Sequence, residues 1–377
     1  MPTKRAVILI VIFSLALAYW LWPKAGIRPL PALQATLIKE VGGAPDFPLV
    51  ISGNLDTYLF YFDTRDLSIN LQGLQGATRQ KAIRPNYIWS AALATSNTIY
   101  LLVLEDSGLG KFNTILYAFA ENDLQKPDLL LSKGLLLPLK TDSSSSPRLI
   151  WQDQQLLIVW QEGSNLWQLS SVDGKNWQPP VLIIDRSPYG TILTYVQLTV
   201  GEDGQLAAGW YAYNDQGYNY LIVTGNHRKW QTYPLSIKVD LTNNPLLLQQ
   251  KDNLYFVYCS SSNAAGGLTP DPLVGVRSTI NFYRIAQHQA QLEPIYKTVI
   301  PGNCQQLSLI HSADHLLLTI LTEKEVYLSQ INDDFSYGRT DLLFAQPQAI
   351  ILLPDAKLLN LTNTASYRFY QLISKNP

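Results

Sequence analysis

Beyond its first two dozen residues the chain consists of short apolar runs, rich in Leu, Ile, Val, Tyr and Trp, separated by clusters of Gly, Asn, Asp, Ser and Pro. No long segment has a helical period, and runs of this length between turn-forming clusters predict β-strands. The strands recur as a unit. Residues 148–151, 155–160, 165–170 and 177–183 are four predicted strands with turns between them, and residues 195–199, 205–210, 218–222 and 230–235 repeat them. In both units the turn before the last strand ends in Trp-Gln with a proline close behind. Runs resembling the second strand recur at 98–103, 253–258, 315–319 and 357–361, with an earlier one at 57–61.

These make seven units of about 40 to 60 residues, the length and strand content of a propeller blade. Residues 33–377 are therefore expected to be an all-β domain, a β-propeller of seven four-stranded blades, or of six if the weakest unit, residues 47–85, is something else. The last unit ends after residues 366–373 without a fourth strand, while residues 35–41 precede the first unit without partners. The N-terminal strand is expected to complete the last blade, which closes the ring and hides two sheet edges.

The N-terminus differs from the rest. Lys4 and Arg5 precede an apolar run from Ala6 to Trp22 in which Ser14 is the one polar residue. Ala16-Leu17-Ala18 reads as the cleavage site of a signal peptide. Continuation through Tyr19, Trp20, Leu21 and Trp22 reads instead as an uncleaved anchor near the minimum span of about 17 residues, ending in interfacial aromatics. Either reading of residues 1–22 exports the body to the periplasm or the exterior, as a single-pass or secreted protein. Residues 23–32 carry Pro23, Pro29 and Pro31 and read as an extended tether.

Composition narrows the classes. With 47% hydrophobic and 15% charged residues and a net charge of -1, the chain has ample core and no basic footprint for a nucleic-acid partner. No Gly-x-Ser-x-Gly elbow, phosphate loop or Cys-x-x-Cys pair occurs, and neither a cofactor nor a metal is expected. His311 and His315 have the spacing of a helical metal pair, but they fall in a predicted β-turn.

One turn carries a resemblance. Ser170-Ser171-Val172-Asp173-Gly174-Lys175-Asn176-Trp177 is similar to the Asp box of sialidase-like (BNR repeat) propellers, with one residue fewer between Asp and Gly. Residues 225–230 are a more degraded copy. Ser170, Asp173, Gly174 and Trp177 are expected to be structural: the carboxylate accepts backbone N–H bonds, glycine tolerates positive φ and the indole packs between blades.

The resemblance also implies an active site in which three arginines hold a sugar carboxylate, a Glu-activated Tyr acts as nucleophile and an Asp serves as acid or base. Arg84, Arg148 and Arg186, the last near Tyr189, lie on predicted inter-blade segments and share one face. The family's Phe/Tyr-Arg-Ile-Pro signature is not met by Ile83-Arg84-Pro85, Tyr283-Arg284-Ile285 falls on a third strand, and none of the eight glutamates stands out beside a tyrosine. Ordinary surface pairing accounts for the same arginines.

The long segment between Tyr258 and Ile280, with Gly266, Gly267, Pro270, Asp271, Pro272 and Arg277, interrupts a hairpin expected to be tight. By register it projects from the arginine face together with the hairpin ending at Tyr218. The two cysteines, Cys259 and Cys304, reach one side of neighbouring blades. In an oxidising compartment they can form a disulfide, and otherwise they are two buried thiols. The expected function is a tethered binding module for a protein or glycan. The alternatives are a sialidase-type glycoside hydrolase and an assembly factor or subunit of an envelope complex.

Overall fold

A computed structural model describes residues 33–374 except 43–45, 64–67, 74–79, 84–86, 96–97, 109–110, 123–134, 143–146, 194–195, 201–204, 216, 227–228, 231–233, 239–244, 251–252, 262–276, 287–290, 313–314, 333–337, 346–348, 354–356 and 362–365. The expected anchor, its tether, Arg84 and Asp271 lie outside the described residues.

β1 (Leu33–Gly42) comes first in the chain. The strands that follow group into antiparallel sheets in which sequence neighbours pair. The first sheet is β2 (Asp46–Ser52), β3 (Thr57–Asp63), β4 (Ser68–Gly73) and β5 (Gln80–Ile83). The second is β6 (Tyr87–Ala94), β7 (Thr98–Gly108), β8 (Lys111–Ala120) and β9 (Leu135–Asp142). The third is β10 (Arg148–Gln152), β11 (Gln155–Glu162), β12 (Asn165–Ser171) and β13 (Val181–Asp185). The fourth contains β14 (Thr191–Ile192), β15 (Gln197–Val200), β16 (Leu206–Asn214), β17 (Gly217–Gly225) and β18 (Leu235–Lys238). The fifth is β19 (Leu246–Gln250), β20 (Asn253–Ser261), β21 (Arg277–Ala286) and β22 (Gln291–Pro301). The sixth is β23 (Cys304–Ser312), β24 (His315–Thr322), β25 (Glu325–Asn332) and β26 (Gly338–Ala345).

The last sheet joins β27 (Ala349–Leu353), β28 (Lys357–Leu361) and β29 (Ser366–Ser374) to β1, which runs antiparallel to β29 from Leu33 opposite Ser374 to Gly42 opposite Ser366. The chain's first described strand thus completes its last sheet. Residues 46–83, the weakest repeat, form a four-stranded sheet of their own.

The first strands of successive sheets touch. β2 meets β6, β6 meets β10, β15 meets β19, β19 meets β23, β23 meets β27, and β27 returns to β2. Between the third and fourth sheets, Ile150 packs with Leu206 and Ala208. Radial sheets around a closed circle of inner strands make a β-propeller.

This arrangement explains the continuous apolar runs. A middle strand has a neighbouring sheet on each face, so both sets of alternating side chains are buried. On β11, Leu156, Ile158 and Trp160 enter the seam with the second sheet, while Leu157 and Val159 enter the seam with the fourth. Fully burying one such leucine contributes about 2 kcal/mol. On β20, Tyr255, Val257 and Cys259 face the sixth sheet and Leu254 and Phe256 the fourth.

Three expected strands differ. The fourth strands begin later than predicted: Trp177 and Trp230 each make a single bridge, to Ser171 and Gly225, and the ladders resume at Val181 and Leu235. The first strand of the fourth sheet is split. Ile192 lies opposite Ala212 and Gln197 opposite Gly209, so five residues of advance are matched by three.

Candidate functional site

In this fold the turns between second and third strands share a face with the segments that lead from each fourth strand to the next sheet. On that face the β16–β17 hairpin, which carries the predicted Tyr218, meets the segment that carries Tyr189. Tyr213 and Tyr218 stand opposite each other in the β16–β17 ladder, with ring centroids 5.0 Å apart, and both are about half exposed, at 49% and 48%.

Their support is polar. Buried Asn219 donates to Asn214 Oδ1 at 3.2 Å and to the Gly217 carbonyl at 3.0 Å, and Asn214 Nδ2 reaches the Tyr189 carbonyl at 3.3 Å. The hairpin tip is thereby tied to the short 3-10 turn Ser187–Tyr189 that precedes β14. Tyr189 itself is half-buried and packs on the cluster between the third and fourth sheets.

Arg186 sits at the start of that turn and is fully buried, so it is not the surface ligand-binder that its position in the sequence predicts. Its Nε donates to the Ser164 carbonyl at 2.9 Å and its Nη2 to the Gly163 carbonyl at 3.0 Å, both at the β11–β12 turn. Its guanidinium lies 5.8 Å from the Trp210 ring centroid. Desolvation lowers its pKa to about 10, against the opposing pull of Asp185, and it stays charged at neutral pH. Asp185 is engaged by its own neighbours: Oδ1 accepts from Ser164 Oγ and the Ser187 N–H, and Oδ2 from Ser187 Oγ.

Arg148, at the start of β10, borders a cleft with Val159, Trp160, Gln161, Val196 and Leu198, between the third and fourth sheets. Its side chain is reachable by water, yet the surrounding protein desolvates it enough to lower its pKa. Arg277 is exposed at the start of β21, opposite Pro301. The structure therefore ties the Tyr189 backbone to the Tyr213–Tyr218 hairpin through Asn214, while the two tyrosine rings share the side of the fourth sheet that carries Tyr211 and Tyr220. Arg148 and Arg186 serve separate surroundings and do not form a shared carboxylate clamp.

Arg284 is on the third strand of its sheet, as expected, and pairs with Glu293 on β22 at 2.5 Å. His311 and His315 lie on the paired strands β23 and β24, opposite Leu316 and Ser312 respectively.

The turn between β12 and β13 closes on the Asp173 carboxylate. Asp173 Oδ1 accepts from the N–H groups of Lys175 (2.8 Å) and Asn176 (2.7 Å), and Oδ2 accepts from Asn176 Nδ2 at 2.7 Å. These bonds, the backbone ones foremost, hold its carboxyl well below the usual range. Gly174 has φ +68, the left-handed region. The hydroxyl that closes the turn is that of Ser171, which donates to the Asn176 carbonyl at 2.7 Å and accepts from Gly174 N–H at 2.9 Å. Ser170 instead contributes its carbonyl, to Gln178 N–H. Ser171 takes the role because it is the residue bridged to Trp177.

Two glutamate–tyrosine pairs escaped the sequence reading. Glu121 accepts from the N–H groups of Asn54 and Leu55, at 3.0 and 2.8 Å, and lies beside Tyr58, whose pKa burial and this carboxylate raise. Tyr327 donates to Glu325 and is pushed up to about 12 by burial first and by that carboxylate next. Tyr58 is fully buried and Tyr327 nearly so. Both are placed as packing groups rather than as accessible nucleophiles. The Glu121 contact spans more than sixty residues of sequence, and no local pattern signals it. Among the described residues no group of three or more His, Cys, Asp or Glu could hold a metal ion, and no helix is long and apolar enough to cross a membrane.

No family model matches the chain, and no curated protein matches it. Solved structures do. The chain is similar to polysaccharide lyase Uly1, with 11% identity, 94% of each chain covered and a TM-score of 0.50. It is also similar to the beta-propeller domain of Myceliophteria thermophila Cps50 (Swd1), with 11% identity, 90% of this chain and 100% of that one covered, and a TM-score of 0.49. YCF48 bound to D1 peptide is a third, with 12% identity, 92% and 100% covered, and a TM-score of 0.49. Identities this low speak to architecture alone, and the chain is a β-propeller protein.

Proposed function

We propose that this chain is an exported, membrane-tethered propeller of seven blades that binds a protein or glycan ligand through the face carrying Tyr213 and Tyr218. The observation behind this reading is the exposed aromatic pair itself. Two rings held half-exposed on a braced hairpin offer apolar faces to a sugar ring or a peptide side chain at small entropic cost. Arg148 and Arg277 add positive charge to the same face, to which Arg84 and Asp271 are also assigned. Residues 6–22 hold the protein to the membrane with Lys4 and Arg5 retained on the cytoplasmic side.

The test compares wild type with the Tyr213→Ala/Tyr218→Ala double variant on a glycan array and in pull-downs from the native membrane. Loss of the captured ligand by the double variant, with unchanged melting, supports the reading; equal capture by both proteins overturns it. The sialidase-type alternative predicts hydrolysis of fluorogenic sialosides. Arg186, committed to backbone carbonyls, and the buried tyrosines Tyr58 and Tyr327 weigh against it. An envelope assembly role is the same binding chemistry with a membrane-complex subunit as the ligand, and the pull-down distinguishes it from glycan binding.

A further inference from the structure

The chain has two cysteines, 259 and 304 in a sequence of 377 residues, and the fold brings them together across the seam between the fifth and sixth sheets. Cys259 is on β20, the second strand of its sheet, and Cys304 opens β23, the first strand of the next. Both are buried, at 1% and 3% exposure, in one apolar cluster, and the thiol of Cys304 is hydrogen-bonded with that of Cys259.

Cys304 is held in place from the backbone. The fully buried Ser278 hydroxyl donates to the Gly302 carbonyl at 2.8 Å and accepts the Cys304 N–H at 3.0 Å. Ser278 is opposite Ser261 on β20, two residues beyond Cys259. One serine thus ties the start of β23 to the ladder that carries Cys259, and neither cysteine backbone can drift without breaking buried hydrogen bonds.

We propose that Cys259 and Cys304 form a redox clasp that covalently joins two neighbouring sheets of the ring. The reaction is thiol–disulfide exchange with a disulfide oxidant, either a small molecule or a protein oxidoreductase. One cysteine thiolate attacks the oxidant, forming a mixed disulfide and releasing one oxidant thiol. The second thiolate then attacks the mixed disulfide, forming the Cys259–Cys304 bond and expelling the other oxidant thiol. Two protein thiols are oxidised, two electrons reduce the oxidant, and their two protons leave with its thiols.

The hydrogen bond with Cys259 and burial raise the pKa of Cys304, so in the closed ring Cys304 is rarely a thiolate and its exchange is slow. Oxidation accordingly occurs while the chain folds or while the seam is open, and the finished bond is sheltered from reductants. Closing a loop of about 45 residues restricts the unfolded chain, which raises thermal stability.

The experiment uses the full chain. The reduced protein is partly unfolded in mild denaturant with oxidised glutathione, refolded, then fully unfolded in an alkylating agent and digested. The expected result is a cross-linked peptide pair containing Cys259 and Cys304, 2 Da lighter than the sum of its reduced members. Its melting temperature should exceed that of the reduced protein by a few degrees, and a reducing agent should abolish the difference. Cys259→Ala and Cys304→Ala should each lose that redox response. Two fully alkylated cysteines, or glutathione adducts in place of the cross-link, overturn the proposal. If the alanine variants do not fold, the wild-type digest decides it.

Discussion

The turn between β12 and β13 and the turn between β17 and β18 hold equivalent places in adjoining sheets, yet they are built from different chemistry. Each ends in a tryptophan that bridges back across the turn, Trp177 to Ser171 and Trp230 to Gly225. The first is one residue longer. It closes on a carboxylate, Asp173, with the Ser171 hydroxyl as a second hub. The second closes on an amide: Asn226 Oδ1 accepts the Lys229 N–H at 2.9 Å, and the Asn226 N–H reaches the Lys229 carbonyl at 2.9 Å.

Length explains the difference at the bridging position. The extra residue leaves room for a side chain on Ser171, which the turn then uses. In the shorter turn a Cβ on Gly225 would lie 2.6 Å from both the Lys229 carbonyl oxygen and Trp230 Cα, which leaves room for hydrogen alone. The indoles differ as well. Trp230 Nε1 donates to Gln168 in the preceding sheet at 3.0 Å, whereas Trp177 Nε1 is buried without a hydrogen-bond partner. One architectural place therefore accepts a charged or a neutral closure, provided that the tryptophan still covers the seam.

The comparison can be broken most strongly at Gly225. Gly225→Val should cost about 2 kcal/mol or more, because the clash is with backbone and Trp230 rather than with a flexible side chain. Chemical denaturation measures this, and a loss under about 0.5 kcal/mol would show that the short turn can open. Next in size is Asp173→Asn, which keeps one acceptor but sets its amide against that of Asn176. It should lower the melting temperature by a few degrees at neutral pH.

That second effect depends on pH in a defined direction. Asp173 has a native pKa held below its ordinary 3.8, so its carboxylate contributes fully above 3.8 and the contribution is lost as pH falls toward the lowered value. Wild type and Asp173→Asn should therefore converge in melting temperature in acid. Asn226→Asp supplies the converse test, since the amide turn of the wild type has no such acid-dependent component of its own. Parallel curves for wild type and Asp173→Asn down to the lowest accessible pH would rule out a charged closure.

Smaller effects separate the two indoles. Trp230→Phe should cost about 1 kcal/mol more than Trp177→Phe, since both lose similar packing but only the first breaks a hydrogen bond. Equal losses would mean that the Gln168 bond contributes nothing net. Trp177→Phe is the mildest change of all, because it also removes an unsatisfied donor.

The two turns also show how far local sequence reaches. The Asp173 turn was legible because every bond in it lies within a few residues, although the choice of Ser171 over Ser170 depended on which of them the returning strand would bridge. The middle strands were legible for a different reason. Burial on both faces demands an unbroken apolar run, as at residues 156–160, and such a run needs no partner to be noticed. Arg186 illustrates the opposite case. Its sequence position, after a fourth strand and before a proline, marks an exposed linker, and only the Gly163 and Ser164 carbonyls and the Trp210 ring turn it into a buried inter-sheet fastening.

By itself the sequence determined the strand period, the repeat and the pairing of the first strand with the last, because each follows from alternation, turn chemistry and unsatisfied sheet edges along the chain. The tertiary structure decided what no local pattern encodes: the Glu121 carboxylate over the β2–β3 turn, the two thiols meeting across one seam, and Tyr213 and Tyr218 left half in water while Tyr211 and Tyr220 beside them are buried. The four tyrosines alternate along two paired strands, and their chemistry is identical. What separates them is whether the neighbouring sheet reaches that far along the hairpin, a matter of where another part of the chain ends.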